Sequence, residues 1–412
     1  MLLWENKKQK FLKILKIGMN PFRRFVATGE ITEHLGLVDS RRELLTNIKT
    51  IIGEDENFIL PLIGEIGVGK THLFWALKSE VRLQFNTIYI SLDNIYKKFY
   101  YNLYSEFIDE LGLIELRRIT NNLCNKWGAY KKRYGFFQVV DMQKARKNAF
   151  IEWKDSFSNI TALEEAINVI TCHQLDPYNK IEAENYLLGE LMNIRELLML
   201  NVENDLRKKQ NAYTMLKILI ENSKYGTIIF IDDFEIIISL LKGEEEKETY
   251  FDSSWLYGAE ESPDSIAAKK ILKKIMNLLN IKGLRIIITL NSVKSLEEIK
   301  ELITEKNKDF LMIFKKPRFL YKFEKEDIFN FYKNNMKLFL KNVKRPHLLE
   351  EIENPYYPLN EELLKKIYNK TNGNPRKIIK ALIEIFNKII YDNKEIEEIL
   401  KENNTDEYIR DF

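Results

Sequence analysis

Residues 64–71 carry the glycines, the lysine and the threonine of a phosphate-binding loop at the spacing that this chemistry requires. Glycines let the backbone curl so that several N–H groups point at phosphate oxygens, and the Lys70 ammonium can reach the β and γ phosphates of ATP. The Thr71 hydroxyl can bind Mg²⁺, and the helix that begins there adds the positive end of its dipole. The loop and the residue after it are Gly64, Glu65, Ile66, Gly67, Val68, Gly69, Lys70, Thr71 and His72.

Two carboxylates, Asp232 and Asp233, follow a largely apolar run at residues 227–231. A buried strand that ends in acidic groups can deliver them to a nucleotide site, although strands end in acids elsewhere too. We expect Asp232 to join the Mg²⁺ shell and Asp233 to polarise the attacking water, with Glu235 as the alternative base. If the strand geometry continues past Asp232, Glu235 returns to the side of Asp233.

Two more polar residues are candidates for the same site. Asn291 follows the apolar run 285–290 and could orient the lytic water between the two earlier strand ends, or serve only as a turn residue. Arg376 opens a helix after the rigid turn 372–375, where its cation can face a γ-phosphate. The alternative for Arg376 is a solvated side chain on a capped helix.

A parallel sheet would bring these residues together. From residue 36 onward, apolar runs of strand length alternate with helical periodicity, which is typical of a parallel sheet covered by helices on both faces. We therefore predict an α/β fold. The predicted strands are 58–63, 87–91, 227–231, 285–290 and 319–323.

The gap between the second and third predicted strands is far longer than one crossover requires. Residues 113–210 are therefore predicted to be an insertion. Its second half carries an apolar helical stripe, and residues 243–263 are predicted to be an acidic, solvated loop. The stripe comprises Leu187, Leu191, Ile194, Leu198 and Val202. The predicted domains are a basic amphipathic N-terminal segment (1–34), the two halves of the nucleotide-binding domain (35–112 and 211–323), the helical insertion (113–210) and a C-terminal helical lid (324–412).

The order of the phosphate loop, Asp232-Asp233, Asn291 and Arg376 resembles the AAA+ superfamily of P-loop ATPases. The nearest resemblance is to the clade of archaeal and eukaryotic origin-recognition initiators, transposition helper ATPases and signal-transducing STAND ATPases. The resemblance implies a five-stranded parallel αβα P-loop NTPase core with a small helical lid.

The same resemblance implies a role for each matching residue. Lys70 and Thr71 take the Walker A positions, and Asp232 takes the Walker B magnesium position. Asn291 corresponds to sensor 1 and Arg376 to sensor 2.

Residues 35–43 resemble the segment that packs near adenine in that clade.

The chain departs from the family pattern at three points. The family usually has Glu where this chain has Asp233, which leaves Asp233 and Glu235 as alternative bases. No winged-helix domain is predicted after the lid. No clear arginine finger is visible between Asn291 and the predicted lid, where Arg318 is the candidate.

Composition narrows the class of protein. The chain has 412 residues, 45% hydrophobic side chains and a net charge of +3, which excludes a disordered chain. No apolar run approaches the roughly 20 residues of a membrane span, and the N-terminus lacks the features of a signal peptide, so we predict a cytoplasmic protein. Cys124 and Cys172 are interpreted as structural residues.

Residues 125–154 combine basic and aromatic side chains and allow two interpretations. Exposed aromatics could stack on bases while the cations contact phosphates, which would make this segment a DNA-binding surface. Alternatively, the aromatics form the core of a helical subdomain. The exposure of Trp127 and Trp153 distinguishes the two. The basic N-terminus, residues 1–30, is likewise either a helix docked on the core or an arm that contacts DNA or a membrane surface.

These observations together predict a protein that binds ATP and Mg²⁺. The first hypothesis is an ATPase that remodels or loads a partner on DNA as a nucleotide-dependent homo-oligomer. The second is a STAND-type switch, in which ATP binding sets the conformation and slow hydrolysis resets it. A third is a nucleotide-binding scaffold with degenerate chemistry, because of Asp233.

Overall fold

The computed structural model describes residues 2–17, 20–23, 38–54, 57–92, 98–133, 137–242, 263–304, 308–346, 348, 354–392 and 396–400. The chain divides into two compact units. The first unit contains residues 1–54, 62–81 and 317–412, and the second contains residues 55–61 and 82–316. Within the described ranges, no helix combines the length and the apolarity that a membrane crossing needs.

A five-stranded sheet contains β1 (Phe58–Ile63), β2 (Phe85–Ser91), β5 (Gly226–Asp232), β6 (Leu284–Leu290) and β7 (Arg318–Phe319). Its strand order is β2-β5-β6-β1-β7. The strands β2, β5 and β6 pair in parallel, as do β1 and β7, which confirms the predicted α/β class. All residues of β1 and β6 are buried, as expected for parallel strands that are covered on both faces. A separate antiparallel hairpin contains β3 (Tyr130–Arg133) and β4 (Phe137–Val140).

The last strand is shorter than the prediction of residues 319–323. Leu320 still donates its N–H to the Ile63 carbonyl (2.7 Å), but the Phe323 N–H donates to the Gly373 carbonyl (2.8 Å). Because this backbone bonds to the turn before the helix Pro375–Tyr391, it cannot extend the sheet ladder.

The first unit is helical apart from its strand ends. Phe11 and Leu15 of its N-terminal helix pack in one hydrophobic core with Phe331 and Ile378, while the lysines of that helix from residue 8 onward are exposed. This packing supports the docked-helix interpretation. The helices are α1 (Leu2–Ile17), α2 (Asp39–Ile52), α3 (Lys70–Val81), α13 (Lys325–Asn342), α14 (Glu361–Thr371), α15 (Pro375–Tyr391) and α16 (Ile396–Ile399).

The second unit contains the predicted insertion and most of the sheet. Its first long helix is broken at Gly112, which has a positive φ of 73°. The helices are α4 (Phe99–Lys126), α5 (Met142–Trp153), α6 (Ile160–Leu175), α7 (Lys180–Leu187), α8 (Ile194–Met199), α9 (Lys209–Glu221), α10 (Glu235–Lys242), α11 (Pro263–Leu278) and α12 (Val293–Thr304), with a 3₁₀ helix at Lys308–Ile313.

The aromatic residues of the insertion form part of a core. Trp127 is 1% exposed, and its ring meets the ring of the half-buried Trp153 edge to face at 5.0 Å. A buried Trp127 cannot stack on a base, so the observation favours the subdomain-core interpretation. Both cysteines are free and buried, and burial raises the pKa of Cys124 to about 12, in agreement with a structural role.

The prediction that the apolar residues at 187–202 form one stripe on a single helix is wrong. The helix α7 ends at Leu187, Gly189 adopts a positive φ of 81°, and α8 starts anew after a capping box. The break changes the direction of the chain, so the 3.6-residue periodicity does not continue across it. Leu187 and Val202 are buried, whereas Leu191, Ile194 and Leu198 are exposed.

Some predictions fall outside the described residues. They concern the acidic loop at 243–262, the first residues of the adenine-side segment at 35–37, and residues 134–136 of the basic aromatic segment.

Candidate nucleotide-binding site

The phosphate-binding loop connects β1 to α3, as predicted. Gly67 and Gly69 have φ values of 85° and 104°, a left-handed conformation that glycine adopts without steric cost. Lys70 is the first residue of α3, and its Nζ donates to the Gly64 carbonyl at 2.5 Å. Thr71 and His72 follow in the first turn of α3 and are half-buried. The local backbone therefore has the form that a phosphate cradle requires.

The start of the loop lies against the chain segment that follows β7. A Cβ atom on Gly64 would lie 2.6 Å from the Leu320 carbonyl oxygen, so only glycine fits this position. The side chain of Glu65 forms an ion pair with Lys322 at 2.9 Å. In the loop, Ile66 is exposed, whereas Val68 is buried in the first unit.

The N-terminus of helix α15 is bonded directly to the loop backbone. Asn374 Nδ2 donates to the Ile66 carbonyl at 2.9 Å, and the Arg376 N–H donates to the Gly67 carbonyl at 3.0 Å. The same Asn374 side chain caps α15, because its Oδ1 accepts the Lys377 N–H. Asn374 thus links the cap of α15 to the phosphate-binding loop.

Arg376, predicted as a γ-phosphate ligand, has an exposed side chain. Its backbone, not its guanidinium, makes the contact with the loop described above. The left-handed Gly67 is also required here, because a Cβ atom on it would lie 2.8 Å from Asn374 Oδ1.

Arg41, in the segment 35–43, also holds the loop, a role that was not predicted from the sequence. Its side chain is 6% exposed and donates to the Val68 carbonyl at 3.3 Å and to the Tyr321 carbonyl. Its guanidinium also lies 5.5 Å from the Phe323 ring. Burial lowers the pKa of Arg41 to about 10, and nearby Asp327 opposes this shift, so Arg41 stays charged at neutral pH. A cation in the first turn of α2 opposes the helix dipole, and this anomaly could have revealed the residue.

The carboxylate of Asp232 is oriented by two neighbouring strands of the second unit. Asp232 is the last residue of β5 and is 4% exposed. Thr289 on β6 donates to its Oδ1 at 2.5 Å, and the Tyr89 hydroxyl on β2 donates to its Oδ2 at 2.9 Å. Neither partner was predicted from the sequence, although Thr289 is a polar residue in the run 286–290, which is otherwise aliphatic.

Asp233 leaves the strand. Its φ of 57° is left-handed, and its N–H is shared between Asp232 Oδ1 (3.1 Å) and Thr289 Oγ1 (3.2 Å). Its carboxylate accepts a hydrogen bond from Ser91 Oγ at 3.0 Å. Glu235 begins α10, so strand alternation does not relate it to Asp233. The condition for that alternation, a strand that continues past Asp232, is therefore not met.

The remaining candidates lie at strand ends. Asn291 follows β6 and is half-buried, and β6 lies between β5 and β1 in the strand order. Arg318 is half-buried in β7, opposite Leu62 of β1.

The strand order, the glycine-rich loop between β1 and α3, and the acidic end of β5 define the fold as a P-loop NTPase core. No protein-family model matches the chain, and no curated protein matches it. Among solved structures, the chain is similar to a Walker-type ATPase of Pyrococcus abyssi, with 13% identity over 96% of this chain and 79% of that one and a TM-score of 0.38. A similarity this distant carries no argument about activity.

Proposed function

We propose that this chain is an AAA+ ATPase that binds ATP with Mg²⁺ and hydrolyses it. The observation that carries the proposal is the folded phosphate-binding loop, with left-handed Gly67 and Gly69 followed by Lys70 at the start of α3. The donor chemistry also fits, because the Thr71 hydroxyl and the Asp232 carboxylate offer the oxygen ligands that Mg²⁺ prefers.

In this proposal, the loop N–H groups and Lys70 bind the triphosphate, and Thr71 and Asp232 supply metal ligands. Bound Mg²⁺ would neutralise charge that develops on the phosphate oxygens. Asp232 is suited to this role because the Tyr89 and Thr289 hydroxyls hold its carboxylate in one orientation.

We assign the water-orienting role to Asp233 in preference to Glu235. Asp233 occupies the position that matches the family base, and its carboxylate is held by Ser91 beside Asp232. In the same proposal, Asn291 orients the water and Arg376 contacts the γ-phosphate from the lid.

The proposed biological role is to remodel or load a protein partner, on DNA, in the cytoplasm and as a nucleotide-dependent homo-oligomer. A specific observation also favours the second hypothesis, a STAND-type switch. The lid contacts the loop through Asn374 and the Arg376 backbone, so the nucleotide state of the loop can bias the lid position. ATP turnover stimulated by DNA would favour the first role. Tightly bound nucleotide that copurifies and turns over very slowly would favour the second.

The proposal is tested with Lys70→Ala and a matched control, Lys78→Ala, in the last turn of the same helix. We expect Lys70→Ala to reduce ATP affinity or turnover strongly, because it removes the cation that contacts the phosphates. The control should behave like the parent protein. Parental nucleotide affinity and turnover in a folded Lys70→Ala variant would exclude this assignment.

A further inference from the structure

Helix α13 carries a row of cations on one exposed face. Lys333, Lys337 and Lys341 are spaced four residues apart, and Lys344 and Arg345 continue the row past the end of the helix. All five side chains are exposed. The sequence has no acidic residue from 328 to 349. We call these five residues the α13 basic row.

The described residues supply no ion-pair partner for this row. None of the five cations has an ion-pair partner among the described residues, and no acid stands three or four positions from any of the three lysines. Like charges at i, i+4 spacing destabilise a helix. Cations near the helix C-terminus gain from its dipole, which accounts for Lys341 and the two that follow it. The helix dipole does not account for Lys333 and Lys337, which lie in the middle of the helix.

The opposite face of α13 fixes the row in place. Tyr332, Met336 and Leu340 are buried in the core of the first unit. The helical rise places the lysines about 6 Å apart, while each strand of B-DNA has one phosphate per ~3.4 Å of helix axis, so a lysine can meet roughly every second phosphate. A rigid row of this kind is suited to a polyanion with regular charge spacing.

The surroundings of the row favour duplex nucleic acid over other polyanions. Among the described residues 325–346, no large hydrophobic side chain is exposed, so the face has nothing to insert into a lipid surface. The aromatic residues Phe331, Tyr332 and Phe339 are buried, so they cannot stack on the bases of a single strand.

We propose that the α13 basic row binds the phosphate backbone of a nucleic-acid duplex, without reading its sequence. This inference rests on the DNA part of the proposed function and names a surface for it. It places that surface on the C-terminal helical segment instead of on residues 125–154, where Trp127 is part of the core.

The test measures binding of a short fluorescein-labelled DNA duplex by fluorescence anisotropy at several NaCl concentrations. The test variant is Lys333→Gln with Lys337→Gln and Lys341→Gln, because glutamine keeps a high helix propensity. The matched control changes three exposed lysines in and after α5 to glutamine and removes the same charge. The control residues are Lys144, Lys147 and Lys154.

We expect the test variant to lose at least tenfold in affinity at low salt. The slope of its plot of log K against log salt concentration should become less negative by about 2.7, because each of the three lost phosphate contacts contributes ~0.9 to that slope. The control variant should bind like the parent, and circular dichroism should show that both variants keep the parental helix content.

Three results would overturn the proposal. One is a test variant that binds duplex DNA like the parent, and another is a control variant that loses as much affinity as the test variant. The third is a parent that binds anionic vesicles but not duplex DNA, which would also remove the DNA part of the proposed function. The ATPase assignment is judged separately, because ATP binding by the parent and by Lys70→Ala does not depend on the α13 basic row.

Discussion

The contact between Asn374 and the phosphate-binding loop gives a quantitative prediction. Asn374 makes two separable interactions, since Nδ2 donates to the Ile66 carbonyl and Oδ1 caps α15 at the Lys377 N–H. Asn374→Ser keeps a capping oxygen but is too short to reach Ile66. Asn374→Ala removes both interactions.

The magnitudes follow from the two interactions. An N-cap is worth roughly 1 kcal/mol, and a neutral hydrogen bond contributes about 1 kcal/mol to stability. We therefore expect Asn374→Ala to lower the free energy of unfolding by about 2 kcal/mol and Asn374→Ser by about half as much. If the contact holds the loop in its binding conformation, the loss of about 1 kcal/mol weakens ATP binding about fivefold in either variant.

The assay is a titration with a fluorescent ATP analogue, together with urea unfolding of the same samples. The matched control is Asn360→Ser, because Asn360 caps α14 in the same way at the Leu363 N–H. This control changes a helix cap without touching the loop, so its ATP affinity should equal that of the parent.

Either of two results would refute the reasoning. Parental ATP affinity in Asn374→Ser would show that the contact with Ile66 does not prepare the loop for binding. An equal loss of ATP affinity in Asn360→Ser and Asn374→Ser would show that the effect is a general consequence of destabilising the C-terminal helices.

Three other predictions concern the second unit. Asp232→Asn should abolish the Mg²⁺-dependent part of ATP affinity, measured with and without chelator; an unchanged Mg²⁺ dependence would remove Asp232 from the metal site. Asp233→Asn should bind ATP without cleaving it in single-turnover assays while Glu235→Gln cleaves it, and the reverse pattern would make Glu235 the base. Hydrogen bonding from Arg117 is the largest cause that lowers the pKa of Glu184 from the ordinary 4.5 to about 2. The stability that Glu184 contributes is therefore present above pH 4.5 and lost as the pH falls through about 2, so Glu184→Gln should lower the urea midpoint at pH 7 and no longer do so near pH 2.

Several features could be predicted because their information is local in the sequence. A glycine-rich loop before Lys70 needs only spacing to be found, and β1 was predicted with its observed bounds, Phe58–Ile63. The ends of β5 and β6 were predicted within one residue, because continuous apolar runs end where the chain leaves a buried sheet. The same local pattern failed for residues 187–202, where a left-handed Gly189 interrupts the periodicity.

The sequence by itself determined which residues could bind a nucleotide, because motif spacing and hydrophobic periodicity are properties of neighbouring residues. Only the tertiary structure decided what holds those residues in place. Asn374 contacts a loop carbonyl 308 positions away, and Thr289 donates to Asp232 from a strand 57 positions later. The tertiary structure also decided that Trp127 is a core residue and that Asp233 turns out of its strand. Such contacts depend on how distant segments pack, and burial and hydrogen bonding across those segments are set by the whole fold instead of by any local pattern.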